Sequence, residues 1–140
     1  MKQRRSFTYL LYHLVFCTKA REPFISGEEA PVLFSFLKTK AHDLDCYLEA
    51  FGAWLDHVHL LVRTRPTAPL SEVYRQLKGY STYSWRRYYA SRPFKWADGT
   101  FAVTVDPYNC EPLRRYIRNQ PRHHSDKSLI RQWEPEDETE

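Results

Sequence analysis

Two strand-like runs in the middle of the chain stand only three residues apart, and no other feature restricts the fold as much. Residues 46–53 and residues 57–63 (HVHLLVR) both have strand composition, and only Trp54, Leu55 and Asp56 separate them. Runs that close together pair as an antiparallel hairpin. Before the hairpin, residues 27–44 carry Ala30, Leu33, Phe34, Leu37, Ala41 and Leu44 at helical spacing. After it, Pro66 and Pro69 close the strand, and Ser71 is placed to cap a helix over residues 72–90. Its apolar stripe is Val73/Tyr74, Leu77, Tyr80/Ser81, Ser84/Trp85 and Tyr88, and its opposite face holds Arg75, Lys78, Thr82 and Arg86. Residues 6–18 and 101–106 complete the pattern as strands. A last helix is expected from an Asn109 cap, with Pro112 in its permissive first turn and Pro121 ending it near Gln120. The order strand, helix, strand, strand, helix, strand predicts an α+β fold: a ferredoxin-like βαββαβ antiparallel sheet with an added C-terminal helix.

Charge divides the chain more sharply than its net +4 suggests. Residues 1–56 hold 7 basic and 7 acidic side chains, residues 57–131 hold 14 and 5, and residues 132–140 (QWEPEDETE) hold none and 5. The sequence therefore reads as one domain over residues 1–131 with an acidic tail over 132–140, and the basic stretch suits a polyanionic partner. Three cysteines, Cys17, Cys46 and Cys110, have neither zinc-ligand nor disulfide-framework spacing, and read as buried free thiols of a reducing compartment. The longest uncharged run, residues 6–18, has 13 residues and includes His13, too few to span a bilayer. A cytoplasmic protein with no membrane segment is the expectation.

Three groups of residues carry chemistry. His57 and His59 alternate with Val58 on a strand, so both imidazoles share a face and can reach one divalent ion; two ordinary histidines on a half-exposed sheet are the plainer reading. Tyr116 and Gln120 stand at i and i+4 on the last helix, above an apolar pair, Leu113 and Ile117. A tyrosine hydroxyl, with its pKa of about 10, is a poor nucleophile until a metal or cations stabilise the phenolate. Basic and aromatic residues interleave on the long helix (YRQLKGY, WRRYY), which fits unpaired bases and phosphates better than a smooth duplex. A solvated basic face is the alternative. His13 on the first strand reads as a satisfied core histidine. His123 and His124 read as surface residues, with a part in phosphate binding as the alternative.

Taken together, YHLVFCTKAR at residues 12–21, DHVHLLV at 56–62, QLKGYS at 76–81, WADGTFAVTV at 96–105 and YIRNQPRHH at 116–124 resemble the single-tyrosine HUH transposases of small insertion sequences and their relatives associated with repetitive extragenic palindromes. The resemblance covers residues 12–127. It implies a metal-dependent enzyme that cleaves and rejoins single-stranded DNA near hairpins through a 5′-phosphotyrosine. Tyr116 would be the nucleophile, and His57, His59 and Gln120 the ligands of Mg²⁺ or Mn²⁺. Arg75, Lys78, Arg86, Arg87 and Arg118 are the expected DNA contacts, and the chain is expected to form a homodimer. The alternatives are a non-catalytic single-stranded nucleic-acid-binding module and a domesticated HUH endonuclease acting on repetitive palindromes.

Overall fold

The computed structural model describes residues 6–135. Four strands form one antiparallel sheet in the order β2-β3-β1-β4, with β1 at Leu10–Cys17, β2 at Tyr47–Trp54, β3 at His57–Thr64 and β4 at Phe101–Thr104. The expected hairpin is β2–β3, and Leu55 and Asp56 make its turn. The strands are trimmed to what can pair. β1 opens at Leu10, the residue that faces the last residue of β3, Thr64, and β4 pairs only with Tyr12–Val15.

Helices α1 (Ala30–Asp43) and α2 (Leu70–Tyr88) cover one face. Their stripes Leu33, Leu37, Ala41 and Val73, Leu77, Trp85 meet Leu14, Phe16, Val58, Leu60 and Val62 of the sheet in one apolar layer. The other face receives α3 (Glu111–Arg118) and α4 (Gln120–Asp126), with Leu113 and Ile117 against Leu11, Ala50 and Leu61.

Two helix starts differ from the sequence expectation. α2 begins at Leu70, because the Pro69 carbonyl, in an extended residue, accepts from the N–H groups of Glu72 and Val73; Ser71 is inside the helix and caps nothing. α3 begins after Cys110, because the Asn109 amide is spent on Asp106 Oδ2 at 2.7 Å. Pro121 does not end the helical path. α3 stops at Arg118, Asn119 (φ −105°, ψ 25°) breaks it, and Pro121 sits in the first turn of α4, where its missing N–H costs least. Beyond α4 a short 3-10 turn, Arg131–Trp133, folds back over α3. Trp133 and Glu134 of the acidic stretch therefore pack on the domain; residues 136–140 lie outside those described. Among the described residues the cysteines form no disulfide, Cys46 and Cys110 being buried and Cys17 half-buried, and no helix is long and apolar enough to cross a membrane.

Candidate active site and metal centre

The strand periodicity puts His57 and His59 on the α3–α4 face, both fully buried, with Val58 in the opposite layer. Neither imidazole is left to choose its own orientation. His57 Nδ1 lies 2.7 Å from Asp56 Oδ1, and Asp56 Oδ2 accepts from Arg21 Nε at 3.1 Å. Ala20 and Arg21 take up left-handed backbone angles (φ 55° and 54°), uncommon for residues with side chains, in the turn that delivers Arg21 to Asp56. His59 Nδ1 lies 2.9 Å from His13 Nε2, on the neighbouring strand. Both rings thus have one nitrogen occupied and present Nε2 to the space under α3, the arrangement by which an outer partner fixes a metal-binding imidazole.

Helix α3 reaches this space because β2 carries glycine at position 52, the direct partner of His59. A Cβ there would lie 1.6 Å from the Ile117 carbonyl oxygen and 3.0 Å from Gln120 Cγ. Main chain therefore rests on main chain. Ile117 is the residue whose carbonyl would bond the N–H of residue 121, and proline has none to give. Further along, Arg114 donates to the Glu49 carbonyl at 3.1 Å and to its carboxylate at 2.7 Å, at the irregularity in β2 between Leu48 and Ala50. Seated this way, α3 buries Tyr116 and α4 buries Gln120 beside the histidine pair.

A carboxylate joins them. Glu134 Oε1 stands 3.2 Å from His57 Nε2, Oε2 stands 3.3 Å from His59 Nε2, and Gln120 Nε2 donates to Oε2 at 3.3 Å. The Tyr116 hydroxyl donates to the same Oε2 and accepts from the Ile130 N–H at 3.1 Å. His57, His59 and Glu134 each bring a ligand atom within 4.8 Å of the others. His124, one turn beyond Gln120, also enters: its Nε2 is 3.1 Å from Gln120 Oε1 and 3.3 Å from His57 Nε2.

Burial and this crowd of charges set the protonation states. Burial and His59 hold His13 down to about 3, and burial and His57 hold His124 down to about 4, so both rings are neutral at pH 7. Burial likewise lowers His59. His57 goes the other way, because Asp56 and Glu134 outweigh its burial. Burial would raise Glu134, but hydrogen bonds from His57 and His59 keep it far below the usual carboxylate range. Tyr116 is pushed up to about 12 by burial and by the Glu134 carboxylate, so it holds its proton at pH 7.

The expected DNA contacts do not gather here. Arg75, Lys78, Arg86 and Arg87 are on α2, across the sheet. Arg75 is exposed and paired with Glu72. Lys78 spends its ammonium on the carbonyls of Ala97, Asp98 and Gly99, at 2.8–3.3 Å. That loop and α2 enclose a groove of about 580 Å³ lined by Thr82, Tyr83, Arg86, Arg87, Lys95 and Trp96. Arg118 lies on the tyrosine side, at the end of an apolar groove of about 650 Å³ along the free edge of β2.

Sequence reasoning passed over Glu134, Asp56 and Arg21, and left His124 on the surface. Asp56 directly before the His pair and His124 four residues after Gln120 were readable signals. Glu134 had none, since only the fold brings the acidic stretch back to β3.

The model of the family described as "Transposase IS200 like" matches residues 6–120. The ISDra2 transposase TnpA of Deinococcus radiodurans is 28% identical over 130 residues, covering 86% of this chain and 91% of its own. The transposase of insertion sequence element IS200 from Salmonella typhimurium is 26% identical over 115 residues, covering 78% and 75%. A solved transposase-like structure from Deinococcus radiodurans R1 superposes with a TM-score of 0.68 at 28% identity, over 86% of this chain and 98% of the other. The REP-associated tyrosine transposase bound to a REP hairpin superposes with a TM-score of 0.65 at 13% identity, over 89% and 74%, and shares the fold. With the family model spanning the sheet, the histidine pair, Tyr116 and Gln120, the chain belongs to the IS200-like transposases.

Proposed function

We propose that this transposase cleaves and rejoins single-stranded DNA beside hairpins through a covalent bond to Tyr116. The observation that carries the reading is the convergence of Tyr116 and Gln120, from α3 and α4, on His57 and His59 of β3. The donors suit a divalent cation: two buried imidazole nitrogens oriented from behind, a carboxylate, and the Gln120 amide. His57, His59 and Gln120, with Glu134 beside them, would hold Mg²⁺ or Mn²⁺, which when bound polarises the phosphate as a Lewis acid. Tyr116 Oη attacks phosphorus and the bond to the 3′-oxygen breaks, leaving a 5′-phosphotyrosine and a 3′-hydroxyl that takes up a proton. Glu134 accepts the hydrogen bond from Tyr116 and so orients the hydroxyl at the histidine pair, and the proton the nucleophile loses is matched by the one the 3′-oxygen gains. Attack by a 3′-hydroxyl on the phosphotyrosine reverses the step and needs no ATP.

Arg86, Arg87 and Lys95 line a groove with aromatic walls, which supports single-stranded or hairpin DNA as the ligand of α2. Arg75 and Arg118 would add phosphate contacts, and Lys78 orders the loop that forms one wall. A homodimer belongs to the same proposal, and the apolar groove along the β2 edge supports it.

A labelled single-stranded hairpin oligonucleotide, incubated with Mg²⁺ or Mn²⁺ and run on a denaturing gel, tests the reaction. A protein–DNA adduct that disappears in Tyr116→Phe is expected. Hairpin binding without any adduct would leave the non-catalytic binding module as the reading, and sedimentation of the free protein tests the dimer.

A further inference from the structure

We propose that His124 is a further protein donor to the divalent cation. The inference rests on the proposal that a cation binds at His57 and His59, and names a ligand that the HxH and YxxxQ patterns do not contain.

The atoms gathered at this point outnumber the protons available to them. His57 Nδ1 faces Asp56 Oδ1, which only accepts, so Nδ1 carries an N–H and the site is met by Nε2. Opposite it, at 3.3 Å, is another imidazole nitrogen, His124 Nε2. His124 Nε2 also has Gln120 Oε1 at 3.1 Å and Glu134 Oε1 at 3.8 Å, and His57 Nε2 has Glu134 Oε1 at 3.2 Å. An imidazole nitrogen offers one in-plane position. A single proton on either ring serves one of these contacts and leaves the remaining lone pairs facing each other. One cation among them serves all of them.

The ring is built in. It lies face to face on Trp54, with centroids 4.8 Å apart and planes 3° from parallel, and the side chain is only 13% exposed. Gln120 and His124 are i and i+4 on α4, so one helix face presents both to β3. Its neighbour His123 is turned elsewhere: that ring stacks on Tyr116 at 4.4 Å, and its Nδ1 meets Ser128 Oγ at 2.9 Å. A third imidazole also sets the chemical class of the ion. Nitrogen donors favour first-row transition metals over Mg²⁺, so Mn²⁺ and Co²⁺ are expected to bind more tightly than Mg²⁺.

The test is a Mn²⁺ titration of the DNA-free protein, with free Mn²⁺ read by electron paramagnetic resonance. Pulsed spectra of the bound ion count the coupled imidazole nitrogens. Wild type is expected to show three, and His124→Ala two, with Mn²⁺ affinity lower by at least about tenfold, the scale for losing even an outer partner of a ligand. His124→Phe keeps the stack on Trp54 without a lone pair and should resemble His124→Ala; an affinity restored by Phe would make the residue a packing element and overturn the proposal. Unchanged affinity and nitrogen count in His124→Ala would overturn it as well. If wild type takes up no Mn²⁺, the metal reading fails and this one with it. If wild type binds through two imidazoles only, the metal reading stands and His124 is no ligand.

Discussion

On the α1–α2 face of the sheet, β1 and β3 send Leu14, Phe16, Val58, Leu60 and Val62 into an apolar layer that every neighbouring helix completes with apolar residues. On the α3–α4 face, the alternate residues of the same two strands include His13, His57 and His59, all buried. Leu11, Ala50, Leu61, Leu113 and Ile117 supply a smaller apolar patch beside them. One face gains stability from burial, about 25 cal/mol per Å² of apolar surface. The other takes imidazoles, an amide and a carboxylate out of water and recovers only part of the cost through mutual hydrogen bonds. The difference teaches that this sheet keeps its apolar core and its polar cluster on opposite sides, so mutations on the two faces should fail in different ways.

The largest separation is expected from the double change His57→Ala with His59→Ala. Losing the proposed ion removes several kcal/mol of charge stabilisation, so adduct formation should fall about a thousandfold or more. Hairpin affinity, measured by filter binding, should hold, because phosphate contacts rest on Lys and Arg. If cleavage persists, the polar face is not where the chemistry is. The mirror-image change is Leu60→Ala, fully buried in the apolar layer. It should cost about 2–5 kcal/mol in urea unfolding while cleavage per folded molecule is unchanged. A drop in cleavage without lost stability would break the division.

Gly52→Ala probes the seam between the two. The added methyl meets the Ile117 carbonyl, so α3 must lift. Overpacking of this kind costs about 1–3 kcal/mol, and cleavage should fall by more than that loss of folded protein explains. pH provides a milder test. His13 is held neutral down to about 3 when folded, against 6.5 unfolded. Between those values the unfolded chain binds a proton that the folded one refuses, so stability is complete above about 6.5 and declines as pH falls toward 3. The urea midpoint of chelator-treated protein should drop from pH 7 to pH 5, and His13→Gln should flatten that slope. Smallest of all, Arg86→Ala or Arg87→Ala should lower the slope of log affinity against log salt by about 1 and leave cleavage at saturating hairpin unaltered.

The apolar face was legible because periodicity is a local property. The stripe read on α2, Val73/Tyr74, Leu77, Tyr80/Ser81, Ser84/Trp85 and Tyr88, contains its buried residues Val73, Leu77, Ser81 and Trp85, and overreaches at Tyr88, which is exposed. The βαββαβ order was legible for the same reason, since a three-residue separation makes the two central runs pair with each other, while β3 takes β1 on its other side. The polar face was half legible. His57 and His59 share a side by strand alternation, and Tyr116 and Gln120 nearly do by helical spacing, although a break at Asn119 lies between them. Glu134 was invisible, since its place depends on where α4 ends and how the chain turns back at Arg131–Trp133. Helix starts failed for a local reason: Ser71 and Asn109 have capping chemistry, but Pro69 and Asp106 had already settled the neighbouring backbone.

The contact of Ile117 with Gly52 joins two things the chain leaves out, a Cβ on the strand and an N–H on Pro121. A spacing set by backbone atoms does not drift when side chains elsewhere on α3 are exchanged. The helix has in effect a fixed stop, and the height of the Tyr116 hydroxyl above the histidines is measured from it. Exposed positions of α3 such as Arg115 and Arg118 can thereby be exchanged while the reach of the Tyr116 hydroxyl, the proposed nucleophile, stays constant.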